Sequence, residues 1–465
     1  AVMLQRLPRR AFLKALAASA GAAAVPTLAG AGQSDGKAQG ERASWQNWSG
    51  NQTARPRNLA YPADEAALAR LLANTEGTVR PFGGSHSFSA VVPTGDTLVS
   101  LEALNGLRSV DAGALRFGAG TRIAQASSEA WGEGRSLINE PDINLQSLAG
   151  AIATGTHGTG LGLPCLSDQV VGLELMDTEG TLHRLDHNDG DRFQAARCGL
   201  GALGLITAVT LDSAPAYRLE EHTWTLPLDE AMDFVDREKD NFRNIEFFAF
   251  PLGGTAIVKT MSLTDDPEDD LAQDDSNDLL ETVCELSMRA GWMTSTLQKL
   301  VTFFVEENRR RGPAHKIYAN RRTVRFNEME YTVPAEKGIE CLQEVCEVIR
   351  EQDINVFFPI EFRYSAADDT LLSMFSGRAG ASLSIHQYFK QDATPLFRAT
   401  EPVLRRHRGR PHWGKLHSLG ADELRELYPR FDDFLALRRE LDPRGRLLND
   451  HLRHLFGIDA KGQPA

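Results

Sequence analysis

Cysteine is scarce: five residues in 465 (Cys165, Cys198, Cys284, Cys341, Cys346), too few and too scattered for a disulfide framework. Cys341 and Cys346 stand five apart in a stretch that reads as helix, which predicts different faces, and all five read as buried or free thiols. Metal-ligand spacing is absent as well. His451-x-x-His454 and the pair His412 and His417 lack partner ligands and read as structural or cofactor-site residues. Positive charge is in deficit, 50 Lys and Arg against 63 Asp and Glu, with a net charge of −13. With no basic patch interleaved with aromatics, this balance argues against nucleic acid or an anionic membrane surface as partner. No apolar run is long enough to remain in a bilayer, so no membrane anchor is expected.

What is present begins with a targeting pattern. Leu7-Pro8-Arg9-Arg10-Ala11-Phe12-Leu13-Lys14 carries paired arginines ahead of a weakly apolar Ala-rich run, and Ala29-Gly30-Ala31 supplies a small-x-small cleavage site. Residues 1–31 are expected to be a twin-arginine signal peptide, 32–44 a polar Gly-rich linker, and Trp45 the start of folded chain. The protein is then expected to be exported, to the periplasm or beyond.

Between residues 45 and 215 short apolar strands alternate with helical patterns, such as a helix over 63–74 ahead of a strand over 78–82, and a strand over 170–178. Asp64 and Glu65 suit a first helical turn. From 216 to 427 longer strands and helices suggest a second domain, and 428–465 a segment returning to the first. Residues 265–281 hold nine acids in seventeen positions. That run lacks calcium-loop spacing and reads as a solvated insertion.

Three glycine-rich stretches fall in the first domain. Arg80-Pro81-Phe82-Gly83-Gly84-Ser85-His86-Ser87-Phe88-Ser89 projects one histidine from a turn whose small neighbours leave backbone N–H groups free for an anion. Residues 147–160, with Ser147, Gly150, Thr154, Gly155, His157 and Gly158, alternate hydroxyls with glycines. Such a stretch is expected to pack poorly as core while admitting a flat ligand. Gly199 to Gly204 spells G-x-G-x-x-G, but helix precedes it and a β-rich run containing Ile206 follows, the reverse of a dinucleotide-binding turn. Three such loops together suggest one large cofactor.

The paired segments PFGGSHSFS and SLAGAIATGTHGTG resemble the flavin domain of the vanillyl-alcohol-oxidase-type flavoenzymes, nearest to the sugar-lactone oxidases (D-arabinono-lactone-oxidase-like) and alditol oxidases. The resemblance continues through PIEFR (359–363), SIHQYF (384–389), PHWGK (411–415) and DPRGRLLNDHL (442–452). It implies an α+β fold: a two-subdomain FAD-binding domain of the PCMH type, plus a substrate domain with an antiparallel sheet flanked by helices. It implies FAD, attached covalently through His86, with Gly83, Gly84, Ser85, Ser87, Ser147, Gly150, Thr154, Gly155, His157, Gly158, Gly201, Gly204 and Ile206 along the cofactor. It implies Glu361, Arg363, His386 and Lys415 as catalytic residues and a polyol or sugar lactone as substrate.

Glu361 and Arg363 are two apart in a β-rich run over 354–364, so they share a sheet face and could order a polyol. The spacing alone also describes an ordinary exposed ion pair. A lysine after Trp413 and Gly414 could stabilise developing charge on flavin or alkoxide. His386 and Tyr388 share a face by the same alternation, and Tyr388 is expected to shrink the pocket. The base stays open among Glu361, His386 and Lys415 acting through Arg363.

The expected activity is oxidation of a CH–OH group, with hydride passing to flavin N5 and molecular oxygen becoming hydrogen peroxide. Two alternatives stand beside it: a flavin dehydrogenase with a non-oxygen acceptor, and an exported carbohydrate-binding protein that has lost the chemistry. The oligomeric state is not legible.

Overall fold

A computed structural model describes residues 43–269, 277–320 and 322–459. The twin-arginine pattern and most of the linker lie outside the described residues, as does 270–276 of the acidic run. Within that run Glu268 pairs with Lys316 at 2.8 Å, and Asp269 accepts from the Arg311 N–H at 2.8 Å.

The strands sort into sheets by sequence region. A parallel three-stranded sheet places Thr97–Ser100 between Asn58–Ala60 and Val79–Phe82. The crossover from first to last is the helix Glu65–Asn74, which turns Leu68 and Leu72 inward. It starts two residues later than expected, because Asp64 is its N-cap, accepting from Ala67 N at 2.7 Å. A five-stranded antiparallel sheet follows in the order Leu182–Asp186, Val170–Met176, Leu205–Leu211, Ala114–Gly118, Leu107–Asp111.

The third large unit is an eight-stranded sheet: Asn308–Pro313, Arg218–Pro227, Thr255–Thr264, Asn244–Phe250, Ile360–Ser365, Gly380–Tyr388, Phe326–Pro334, Arg410–Pro411. Every pairing in it is antiparallel. The strand carrying Glu361 begins at Ile360, later than the run of β-formers suggested. Alternation divides its central strands cleanly. Ile245, Phe247, Met329, Tyr331, Ile360, Phe362, Leu383 and Ile385 belong to the apolar core, where the helix Gly338–Glu351 packs. Gly338 permits that approach, since a Cβ there would meet Ala381 at 2.4 Å. The opposite face is charged and still buried: Glu246, Lys259, Glu328, Glu330, Glu361, Arg363 and His386 are each under 10% exposed.

The chain end runs back across the first two sheets. Arg446 donates to Leu72 O and Thr178 O, and Asn449 to Ala90 O and Pro93 O. All five cysteines are free and buried. Cys341 and Cys346, expected on different faces of their helix, are both fully buried, because that helix is covered on two sides by the sheet and by the helix Thr394–Arg406. No helix among the described residues is long and apolar enough to cross a membrane.

Candidate active site

A large cavity, about 1560 Å³ of empty space with its opening to solvent included, lies where the charged sheet face meets the glycine-rich loops. Gly83, Gly84, Ser85, His86, Ser87, Ser147, Gly150, Thr154, His157, Gly201, Gly204 and Ile206 line it from one side; Glu361, Arg363, His386 and Lys415 line it from the other. Of the expected residues, Gly155 and Gly158 do not reach it. Gly155 is the left-handed cap (φ 79°) ending the helix Leu148–Thr154. Gly158 lets the chain pass Glu140, whose carbonyl a Cβ would meet at 2.3 Å.

The loop before His86 works differently from its sequence reading. Among residues 83–85 the left-handed conformation falls on Ser85 (φ 57°) rather than on Gly83 or Gly84. The two glycines serve close approach instead: a Cβ on Gly83 would sit 1.8 Å from Ser147 Oγ. The turn is clamped by Trp48 N–H to Ser85 O (2.8 Å), Trp45 Nε1–H to Ser85 Oγ (3.0 Å) and Asn47 Nδ2–H to Ser87 O (2.9 Å). Trp48 stacks on the His86 ring at 5.8 Å. Burial, with Arg122 and Lys415 adding to it, pushes His86 down to about 4, so its imidazole is neutral and keeps a nucleophilic lone pair at neutral pH.

Residues 148–154 form a helix rather than a loose loop, with Leu148, Ala151 and Ile152 in the main core. The expectation of poor packing fails because small side chains let this helix press close to its neighbours. The order around 199–204 is as read, with helix Asp191–Ala196 before and strand Leu205–Leu211 after.

This half fits FAD. The N–H groups of Gly84, Ser85, His86 and Ser87 find no acceptor among the described residues, and Arg122 stands beside them. Unpaired donors next to a guanidinium suit a phosphate, and the small-residue wall over 147–154 admits a flat ring system.

On the sheet side, Glu361 and Arg363 are 4% and 7% exposed, so they are not a surface pair. Glu361 Oε1 lies 3.7 Å from Arg363 Nε, and neither atom has a hydrogen-bond partner among the described residues. An acceptor and a donor, both buried and both unsatisfied, sit side by side. His386 directs Nδ1 at Pro359 O (3.2 Å) and Nε2 at Glu328 Oε1 (3.5 Å). Lys415 donates to Glu328 and lies 3.8 Å from Glu330 Oε2. Tyr388 does not line the cavity. Its hydroxyl donates to Glu285 at 2.7 Å within an aromatic cluster, and Ser384 instead puts a hydroxyl 3.3 Å from Arg363.

Two carboxylates here were not anticipated. Glu328 stands opposite His386, and Glu330 opposite Ser384, which in turn opposes Glu361. Burial would raise Glu328, but Lys415 and His386 outweigh it and hold the carboxyl at about 2. Glu330 is likewise held well below the usual range, by Arg363 and His157 against burial. Asp142 and Arg322, paired at 2.7 Å, and His412 complete the wall. Burial pushes His412 down to about 3.

Residues 209–455 match the D-arabinono-1,4-lactone oxidase family, and residues 56–186 match an FAD binding domain. The chain belongs to the D-arabinono-1,4-lactone oxidase family. L-gulono-1,4-lactone dehydrogenase of Mycobacterium tuberculosis is 34% identical over 425 residues, covering 89% of this chain and 99% of that one. The alditol oxidase of a Streptomyces species is 30% identical over 437 residues, covering 88% and 98%. Among solved structures, cholesterol oxidase from Brevibacterium sterolicum superposes with a TM-score of 0.75 over 90% of this chain and 97% of that one; at 17% identity it shows the shared PCMH-type fold alone. As a member of the lactone oxidase family the chain is an FAD-linked oxidoreductase, which sets aside the binding-protein alternative.

Proposed function

We propose that the protein oxidises the CH–OH group of a neutral sugar lactone or alditol and passes the electrons to oxygen. The observation that carries this reading is the unsatisfied pair Glu361 Oε1 and Arg363 Nε. A substrate hydroxyl satisfies both at once, donating its hydrogen to the carboxylate and accepting from the guanidinium. The relatives named for L-gulono-1,4-lactone and for alditols support the substrate class.

The same geometry narrows the choice of base. Both His386 nitrogens face oxygens, and the Lys415 ammonium is turned to carboxylates. Glu330 is held well below the usual range, which makes it a weak base. Glu361 is left to take the hydroxyl proton, while Arg363 and Lys415 stabilise the oxygen it leaves. Bound FAD would supply the hydride acceptor. The loop over 83–87 with Arg122 would hold its phosphates, and the neutral His86 would bond covalently to its dimethylbenzene ring.

A dehydrogenase with another acceptor is the second reading, favoured by the name of the mycobacterial relative. Export by the twin-arginine route is proposed from Arg9 and Arg10; a retained N-terminal segment on cytoplasmic protein would refute it.

The test is a panel of lactones and alditols given to the yellow holoenzyme, with peroxide and dye reduction followed in parallel. Glu361→Gln is expected to keep its flavin and lose turnover by roughly 10²–10⁴-fold. Turnover at the parent rate would remove Glu361 from the chemistry, and dye reduction without peroxide would select the dehydrogenase. After acid precipitation the colour is expected in the pellet, and in the supernatant for His86→Ala. Colour in the supernatant for the parent would overturn the covalent bond.

A further inference from the structure

We propose that Glu330 is a positioning residue, which fixes a shared proton and a cationic cluster against the reduced flavin. The proposal rests on the flavin half of the reading above and not on its substrate half.

His157 follows the helix Leu148–Thr154 and lines the cavity from the cofactor-binding side, whereas Glu330 comes from the eight-stranded sheet. Both side chains are 1% exposed, and His157 Nε2 lies 2.6 Å from Glu330 Oε1. The other ring nitrogen, Nδ1, lies 2.8 Å from Gly158 O. Carbonyl and carboxylate oxygens only accept, so each contact requires a proton. A ring with a single N–H would set a bare lone pair against an acceptor oxygen at one of them, the Gly158 carbonyl or the Glu330 carboxylate. The pair therefore holds a proton between Nε2 and Oε1, beyond the one that Nδ1 gives to Gly158.

Glu330 Oε1 also accepts from Arg363 at 3.3 Å, and its Oε2 faces Lys415 at 3.8 Å. One carboxylate oxygen thus holds two donors from two separate segments, while the Lys415 ammonium, anchored on Glu328, stands near the other oxygen. His157 is further fixed edge-on to Phe375 at 5.1 Å. When the flavin accepts a hydride its ring gains negative charge. Preorganised cations in a site screened from water stabilise that charge without reorganising.

Inorganic sulfite reports this without any substrate, because its reversible addition to oxidised flavin also puts negative charge on the ring. Glu330→Gln keeps the shape, but its amide N–H can donate to Nε2 and so removes the shared proton. The flavin-loaded variant is expected to bind sulfite at least tenfold more weakly and to show a reduction potential lower by about 30 mV, the tenfold equivalent for a two-electron couple. His157→Gln, with Glu330 intact, is the second variant and should shift both readouts in the same direction. Unchanged sulfite affinity in either folded, flavin-loaded variant overturns the proposal. Loss of flavin from both would assign the pair a structural role and overturn it too. A substrate panel without turnover would sink the substrate reading while leaving the sulfite result standing.

Discussion

Glu140 shows how a single buried carboxyl records what surrounds the active site. Its Oε2 accepts from Ser127 at 2.7 Å, but Oε1 has no partner among the described residues, and Glu140 lines a small void together with Arg363, Asp142, Glu246, Lys259 and Tyr318. Burial, only partly offset by the Ser127 hydrogen bond, raises its pKa from 4.5 to about 7. A carboxyl whose folded value is raised stabilises the fold fully below the unfolded value, and that contribution is lost as pH rises through the folded value. The loss here runs from about pH 4.5 to about pH 7 and is on the order of 3 kcal/mol for this shift. Glu140→Gln keeps the acceptor for Ser127 and cannot ionise. Its melting temperature minus that of the parent is therefore expected to climb between pH 5 and pH 8. A flat difference across that window would show that Glu140 does not titrate there.

At the scale of elements, the rule of two gives the face of each cavity strand but not how far along the strand the cavity reaches. The i, i+2 spacing put Glu361 and Arg363 on one face and the family resemblance gave them their role; the structure shows that face to be buried. The same rule reads Glu328-Met329-Glu330-Tyr331 as carboxylates alternating with apolar residues, yet Glu328 and Glu330 were passed over. Alternating acids look like the solvated side of a strand, and only cross-strand registry shows that they meet His386 and Ser384. Tyr388 failed for a related reason. Alternation gives the face but not where along the strand the cavity ends, and the strand carries Tyr388 past it into the cluster around Phe88 and Phe326. The glycine loops were legible as a cofactor wall because side-chain size is a local property. Which glycines touch the cavity was not, since Gly158 answers to a carbonyl brought there by distant chain. Arg322 and Asp142 carried no local signal; their pairing spans 180 residues.

At the scale of the whole molecule, Arg80 gathers the flavin-binding half around one guanidinium. It is 2% exposed and donates from Nε to Val91 O (2.8 Å), from one terminal nitrogen to Gly201 O (2.9 Å) and Leu447 O (2.6 Å), and from the other to Leu200 O (2.7 Å). Three segments far apart in sequence are thus tied to the strand that leads into the His86 loop. Burial, only partly opposed by Asp442, lowers Arg80 to about 9, so the charge is kept at neutral pH at some cost and the carbonyls are what stabilise it. A lysine ammonium has one donor centre and cannot span this fork. Arg80→Lys leaves buried carbonyls unpaired at about 1–3 kcal/mol each. Because Gly201 and Leu200 belong to the cavity wall, the damage reaches the cofactor site as well as the fold. The expected outcome is a lower urea midpoint together with a lower flavin content per chain, measured on the same preparation. A lowered midpoint with full flavin content would mean that the C-terminal segment is tied on for stability alone. An unchanged midpoint would mean that the fold does not depend on this clamp.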